Sequence, residues 1–223
     1  MLNTRSLSYG DVAETWQKFV CASHVLATDK TDYPIWRKGR NRYAAWIIPV
    51  TDTLVSGRLE KARKHLSEWL LQPWLCEPHV TILAGGFLAS KMVYDDDLTP
   101  ELIDRQSQII SENCKVPLEL SAGDANSFLA APFLEIECLD RHFHTLRESL
   151  LQVHGEPRSE DYLQHITIGL YRESYATDDI AKALSGLTFE PPIAFTANRI
   201  ELVSFDVRDL TCSLQTEIRI ELA

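Results

Sequence analysis

Pro78-His79-Val80-Thr81-Ile82 and Gln164-His165-Ile166-Thr167-Ile168 carry one short pattern, His-x-Thr-x with a β-branched apolar residue at each x, once in each half of the chain. β-Branched residues are stiff at χ1 and favour strands. A strand turns successive side chains to opposite faces. In each stretch His and Thr therefore share one face, while Val80/Ile82 or Ile166/Ile168 share the other. The apolar pair can pack on a core with the imidazole and hydroxyl displayed opposite it. Two imidazoles and two hydroxyls aimed into one cleft would make a site for acid–base chemistry on an anion.

Working outward from the first copy, residues 43–50 (YAAWIIPV) fit a buried strand closed by Pro49, and Thr51-Asp52-Thr53 offers a helix cap. Leu54, Leu59, Ala62, Leu66, Trp69 and Leu70 recur at mixed three- and four-residue spacing, which predicts an amphipathic helix over 53–71 ended by Pro73. The first motif strand then covers 74–84 and is broken by Gly85-Gly86. Around the second copy, 116–122 and 127–138 read as a hairpin about a turn at 123–126. A helix starting at Asp140 runs to 153 and stops at Gly155 and Pro157, and the second motif strand covers 162–171. The order strand, long helix, motif strand thus occurs twice, over 43–84 and 127–171. A near-two-fold arrangement of these units sets the two histidines face to face across a groove. The rest reads as a helix over 10–26, a loop over 29–42, helices from Pro100 to 113 and over 178–185, and strands over 193–205 and 211–222.

The totals narrow the function. The chain has 223 residues, enough for one domain of two lobes. Its net charge of −10 argues against a protein that grips a long nucleic-acid duplex by its backbone, yet leaves room for a small nucleotide or an RNA terminus at a local site. Arg37, Lys38, Arg40 and Arg42 cluster in what reads as a solvated loop, and Asp95-Asp96-Asp97 reads as a solvated acidic turn. No apolar run approaches the roughly 20 residues that span a bilayer, and the first residues carry no segment like a secretion signal. The five cysteines are scattered and form no CxxC pair, which reads as reduced thiols in a cytosolic protein. His142 and His144 lack a carboxylate or cysteine partner at ligand spacing, so no metal is expected.

The two complete motifs, His79-Val80-Thr81-Ile82 and His165-Ile166-Thr167-Ile168, resemble those that name the 2H phosphoesterase superfamily. The stretch Phe195-Thr196-Ala197-Asn198-Arg199-Ile200-Glu201-Leu202 is similar to the late strand of bacterial 2′–5′ RNA ligase-like members. The resemblance covers about 43–222. It implies a bilobal α+β fold, with two antiparallel sheets flanking a central cleft and helices on the outer faces, in residues 43–223. Residues 1–42 form an N-terminal extension of helix plus loop. It also implies a metal-independent enzyme without cofactor, with His79 and His165 as the catalytic pair and Thr81 and Thr167 on the phosphate. The family includes cyclic phosphodiesterases, RNA 2′–5′ ligases and RNA-trimming exonucleases. The expected partner is therefore a small nucleotide or RNA end, met by a cytoplasmic monomer. Tyr171 would lie on the His165 face if the strand stayed regular, where it could stack on a base. Tyr43 and Trp46, on the strand before the first motif, are further candidates for substrate contact, although Trp46 is more often core than ligand at such a position.

Overall fold

Alternation along residues 42–49 places Ala44, Trp46 and Ile48 in the core and leaves Tyr43, Ala45 and Ile47 on the opposite face. That strand is the centre of the first of two sheets. The computed structural model describes residues 9–29, 34–156, 162–187, 189 and 191–222. Parts of the N-terminal extension and of the segment before the second motif therefore lie outside the described residues. In chain order the elements are α1 (Val12–Cys21), α2 (Pro34–Arg37), β1 (Arg42–Pro49), α3 (Thr53–His65), β2 (His79–Leu88), β3 (Asp97–Leu98), α4 (Pro100–Asn113) and β4 (Leu118–Ser127). There follow β5 (Pro132–Cys138), α5 (His142–Val153), β6 (His165–Thr167), α6 (Thr177–Ser185), β7 (Ile193–Ala197), β8 (Arg199–Asp206) and β9 (Gln215–Glu221).

The first sheet has the order β3-β2-β1-β8-β9 and the second β6-β5-β4-β7. All pairings are antiparallel except the short β2–β3 contact. The repeat expected from the sequence is present. β1–α3–β2 and β5–α5–β6 each place a motif strand antiparallel to the strand that opens the unit. β3 pairs only with Phe87 and Leu88, so the first half of β2 has a free edge, and β6 is an edge strand of its own sheet. These two edges touch across the seam between the sheets.

Local chemistry starts the helices. The Asp52 carboxylate accepts from the Leu54 and Val55 N–H groups, and Asp11 accepts from Glu14 N–H. Asp140 accepts from His142 N–H at 2.7 Å, and Pro100 opens α4. One hydrophobic cluster joins both units, from Phe19 of α1 to Leu222 at the other end.

Several sequence expectations are corrected. α3 ends at His65 rather than 71, because the next residues turn to the second unit, where Leu71 N–H donates to Leu170 O and Leu70 bridges to Tyr171. Gly85-Gly86 does not end β2. The strand runs on through a bulge, with Gly86 at φ +120° and a Cβ there falling 2.4 Å from Asp96 O. The hairpin turn lies at 128–131, closed by Phe128 N–H to Ala131 O, and Gly123-Asp124 forms a bulge inside β4 instead. The second motif strand shrinks to three residues. The expected strand over 193–205 divides at Asn198, so that β7 joins the second sheet and β8 the first.

The charged loops are not merely solvated. Arg40 bonds Asp96 at 2.6 Å and Asp97 at 2.5 Å; Asp97 is 1% exposed and also accepts from Val93 and Tyr94 N–H. These donors and the Arg40 charge hold its carboxyl below the ordinary aspartate range despite burial. The cysteine reading is corrected too. Cys76 and Cys212 form a disulfide, while Cys21, Cys114 and Cys138 are free. The pair is 136 residues apart in sequence but 4.7 Å apart between Cα atoms. The β8–β9 loop lies against the segment before β2, where Leu75 N–H donates to Thr211 O.

Candidate active site

The free edge of β2 is held by side chains where a neighbouring strand would otherwise sit. Tyr162 O–H donates to Thr81 O at 2.5 Å, Arg147 Nη1 donates to Ile82 O at 2.5 Å, and Ala84 N–H donates to the Glu156 carboxylate at 2.9 Å. Arg147 and Glu156 pair with each other at 2.5 Å, and the guanidinium lies 3.7 Å from the Tyr162 ring centre. Arg63 of α3 makes a second tie. It donates to Cys76 O, just before the first motif, and to Ile168 O, at the end of the second. Both motif strands are thereby referred to one frame.

Within that frame the two histidines are held alike. His79 Nδ1 is 2.8 Å from Glu77 O and His165 Nδ1 is 2.7 Å from Leu163 O, in each case the carbonyl two residues back. A carbonyl only accepts, so Nδ1 carries the proton and Nε2 keeps its lone pair in the neutral ring. Among the described residues neither Nε2, nor the hydroxyl of Thr81 or Thr167, has a hydrogen-bond partner. All four side chains are partly exposed. Burial lowers the pKa of both imidazoles; Arg63 lowers that of His79 further, and the charge of His79 lowers that of His165. The backbone carbonyls oppose the shift without reversing it. The His165 ring is fixed by Phe128 and Phe133, whose centres lie 5.0 and 5.3 Å from its own. Glu135 faces His165 in register and accepts from Asn126 Nδ2. Burial raises its pKa.

The structure does not bring every expected residue to this place. Trp46 is fully buried in the core and donates Nε1–H to Gln106 Oε1 at 2.8 Å. Tyr171 is 1% exposed and bonds Ser127 Oγ. The regular strand stops at Thr167, and the chain then turns Tyr171 inward, so neither ring can touch a substrate. Tyr43 is on the motif face of the first sheet but near its opposite end, paired with Phe87. Arg63 and Arg147 went unnoticed in the sequence. Each is a charge on the apolar stripe of its helix, between Leu59 and Leu66 or among Phe143, Leu146 and Leu150. A cation in that position is the signal that could have found them.

A bilobal α+β fold with two His-x-Thr-x strands meeting at its centre defines a 2H phosphoesterase. The chain belongs to the 2′-5′ RNA ligase superfamily, whose family model matches residues 52–209. Its fold is that of E. coli LigT: the apo crystal structure superposes with a TM-score of 0.55 at 14% identity, covering 82% of this chain and 99% of that one. The LigT complex with 3′-AMP gives 0.56 at 16% identity, with the same coverage. TT0787 of Thermus thermophilus gives 0.55 at 13% identity, covering 81% of this chain and 97% of that one. No curated protein sequence matches this chain. No helix among the described residues is long and apolar enough to cross a membrane.

Proposed function

We propose that this protein is a metal-independent phosphodiesterase that hydrolyses a 2′,3′-cyclic phosphate or a 2′–5′ linkage at a nucleotide or RNA end, with His79 and His165 as the acid–base pair. The observation that carries the reading is the matched tether of the two imidazoles, each Nδ1–H on the carbonyl two residues back, each Nε2 unengaged among the described residues. Hydrolysis forms a bond from water oxygen to phosphorus and breaks the bond from phosphorus to a ribose oxygen. One neutral Nε2 takes the proton of the water. The other ring, as imidazolium, gives its Nε2 proton to the departing ribose oxygen. Each transfer contributes about 10²–10⁴-fold. Burial lowers the pKa of both rings in the free protein, which works against the charged form that the acid needs. The phosphate anion seated between them favours one imidazolium. The hydroxyls of Thr81 and Thr167 donate to the non-bridging oxygens as charge builds there. LigT, of the same fold, has been crystallised with 3′-AMP, which supports a nucleotide-end ligand here.

The test is a panel of nucleoside 2′,3′-cyclic phosphates and 2′–5′-linked dinucleotides with products identified by mass, in the presence of a chelator. His79→Ala and His165→Ala should each lose nearly all turnover while keeping the wild-type melting profile. The bell-shaped pH profile of kcat/KM should centre on the acid side of histidine's ordinary value of about 6.5. Turnover retained in either alanine variant would overturn the assignment. Binding without turnover on the whole panel would leave a nucleotide-binding module instead.

A further inference from the structure

We infer that an aromatic cavity at the far end of the motif face binds the base of the nucleotide that precedes the one bearing the reacting phosphate, which makes the substrate an RNA end of at least two nucleotides. The inference rests on the phosphoesterase reading and narrows its substrate. The cavity, about 980 Å³ in volume, is walled by Trp36, Tyr43, Tyr94, Phe205, His154 and Glu156, with Ala84 among its other lining residues.

Register places it on the same face as the motif. β1 pairs Ile47 with Thr81, Ala45 with Ala84 and Tyr43 with Phe87, while β8 pairs Phe205 with Tyr43. Paired residues share a face. One surface therefore runs from His79 and Thr81 past Ala84 to Tyr43 and Phe205. At about 3.3 Å per residue, Ala84 lies about 10 Å from Thr81 and Tyr43 about 13 Å from Ile47, which sits opposite Thr81. That is beyond the reacting phosphate itself and suited to a group carried by the adjoining nucleotide.

The lining is chosen for a flat ring. Trp36 is 36% exposed, and its ring centre is 5.7 Å from that of Tyr43 and 4.8 Å from that of Phe87; Tyr43 and Phe205 are 5.9 Å apart. The charges around them are largely matched. Asp96 is held by Arg40, Glu156 by Arg147 and by Ala84 N–H, and the Lys38 ammonium sits 4.1 Å from the Tyr94 ring centre. Asp95, with no ion-pair partner among the described residues, disfavours a second phosphate there. His154 also lines the cavity, and its Nε2, shielded from solvent, has no hydrogen-bond partner among the described residues. Stacking of bases on exposed aromatic rings is the sequence-tolerant mode by which single strands are held. Trp36, Lys38 and Tyr43 all precede the residues matched by the family model, so part of this subsite's wall comes from the segment that the family pattern does not cover.

The test is calorimetric titration of the full chain with adenosine 3′-phosphate and with the dinucleotide ApA carrying a 3′-phosphate. The dinucleotide should bind tighter by on the order of tenfold. Trp36→Leu keeps an apolar contact but removes the π-face, and should bring the ratio of the two affinities to about one. Phe205→Leu should do the same, and a melt of each variant confirms its fold. Equal wild-type affinities, or a ratio unchanged in both variants, overturns the subsite. Turnover of the corresponding cyclic ends is measured in parallel. Equal turnover of one- and two-nucleotide ends, with equal affinities, removes the subsite and keeps the enzyme; a dinucleotide preference in binding without turnover keeps the subsite and removes the enzyme.

Discussion

Arg147→Met is the substitution that asks most of the architecture described above. The guanidinium is 3% exposed as a residue and does three things. It pairs with Glu156 at 2.5 Å, donates to Ile82 O at 2.5 Å and lies over the Tyr162 ring at 3.7 Å. Methionine fills a similar length of apolar space, so the loss is electrostatic rather than a cavity. Removing one partner of a buried ion pair costs about 3–5 kcal/mol, because the other charge stays behind unpaired. The orphaned Ile82 carbonyl and the lost cation–π contact belong to the same network and are not added on top. Glu156 retains the Ala84 N–H and is partly exposed, which places the expected loss near the lower end, about 3 kcal/mol, a large fraction of a total stability of about 5–15 kcal/mol. Urea unfolding at neutral pH measures it. The double variant Arg147→Met/Glu156→Gln should recover part of the loss, since it leaves no buried charge. The same substitution should lower turnover, because Ile82 lies between Thr81 and the strand's bulge and loses its outward anchor. A cost below about 1 kcal/mol, or a double variant less stable than the sum of the singles, would refute the view that this pair clamps the motif strand.

Other outcomes follow from the same coordinates. Burial holds the pKa values of His79, His165, His144 and His154 below the ordinary value. The unfolded chain thus takes up protons first as pH falls through about 6.5, and stability present above that pH is lost below it. The urea midpoint should drop on acidification from neutrality, and replacing both motif histidines by alanine should flatten the drop; a midpoint that rises would contradict the burial argument. Gly86→Ala forces a Cβ to 2.4 Å from Asp96 O at a φ of +120°, whereas a Cβ at Gly39, φ +83°, meets nothing within 4 Å. Backbone strain costs each about 1–3 kcal/mol, and thermal melts should show Gly86→Ala the worse of the two by the steric clash. Tyr171→Phe removes a buried hydrogen bond to Ser127 worth about 1 kcal/mol and should leave KM where it was; a raised KM would return Tyr171 to the substrate.

Reading the chain locally worked where the information is periodic. Val80/Ile82 and Ile166/Ile168 are buried and the His/Thr pairs partly exposed, as alternation requires. Caps at Asp52 and Asp140 and the proline at the start of α4 placed helix beginnings to within a residue or two. Reading failed where a residue's fate depends on what lies across the fold. Gly85-Gly86 looked like a stop and is a bulge, because Asp96 approaches too closely for any side chain at 86. Residues 193–205 looked like one strand, and nothing local says that Asn198 sends the two halves to different sheets. Tyr171 looked available to a ligand because strand register was extrapolated past Thr167, where pairing with Phe133 ends.

Two faces, two motifs and a repeated strand–helix–strand order are properties of short windows, since side-chain direction in a strand depends only on position modulo two. The amino-acid order alone therefore decided which atoms are offered for chemistry. Tertiary structure decided that the offers meet: it put the free half of β2 beside the edge strand β6, spent Arg63, Arg147, Tyr162 and Glu156 on holding them, buried Trp46 and Tyr171, joined Cys76 to Cys212 and gathered Trp36, Tyr43 and Phe205 around one cavity. Each of those outcomes is a contact between residues far apart in the chain. Such contacts are chosen by the free energy of packing the whole core, and no local window contains it.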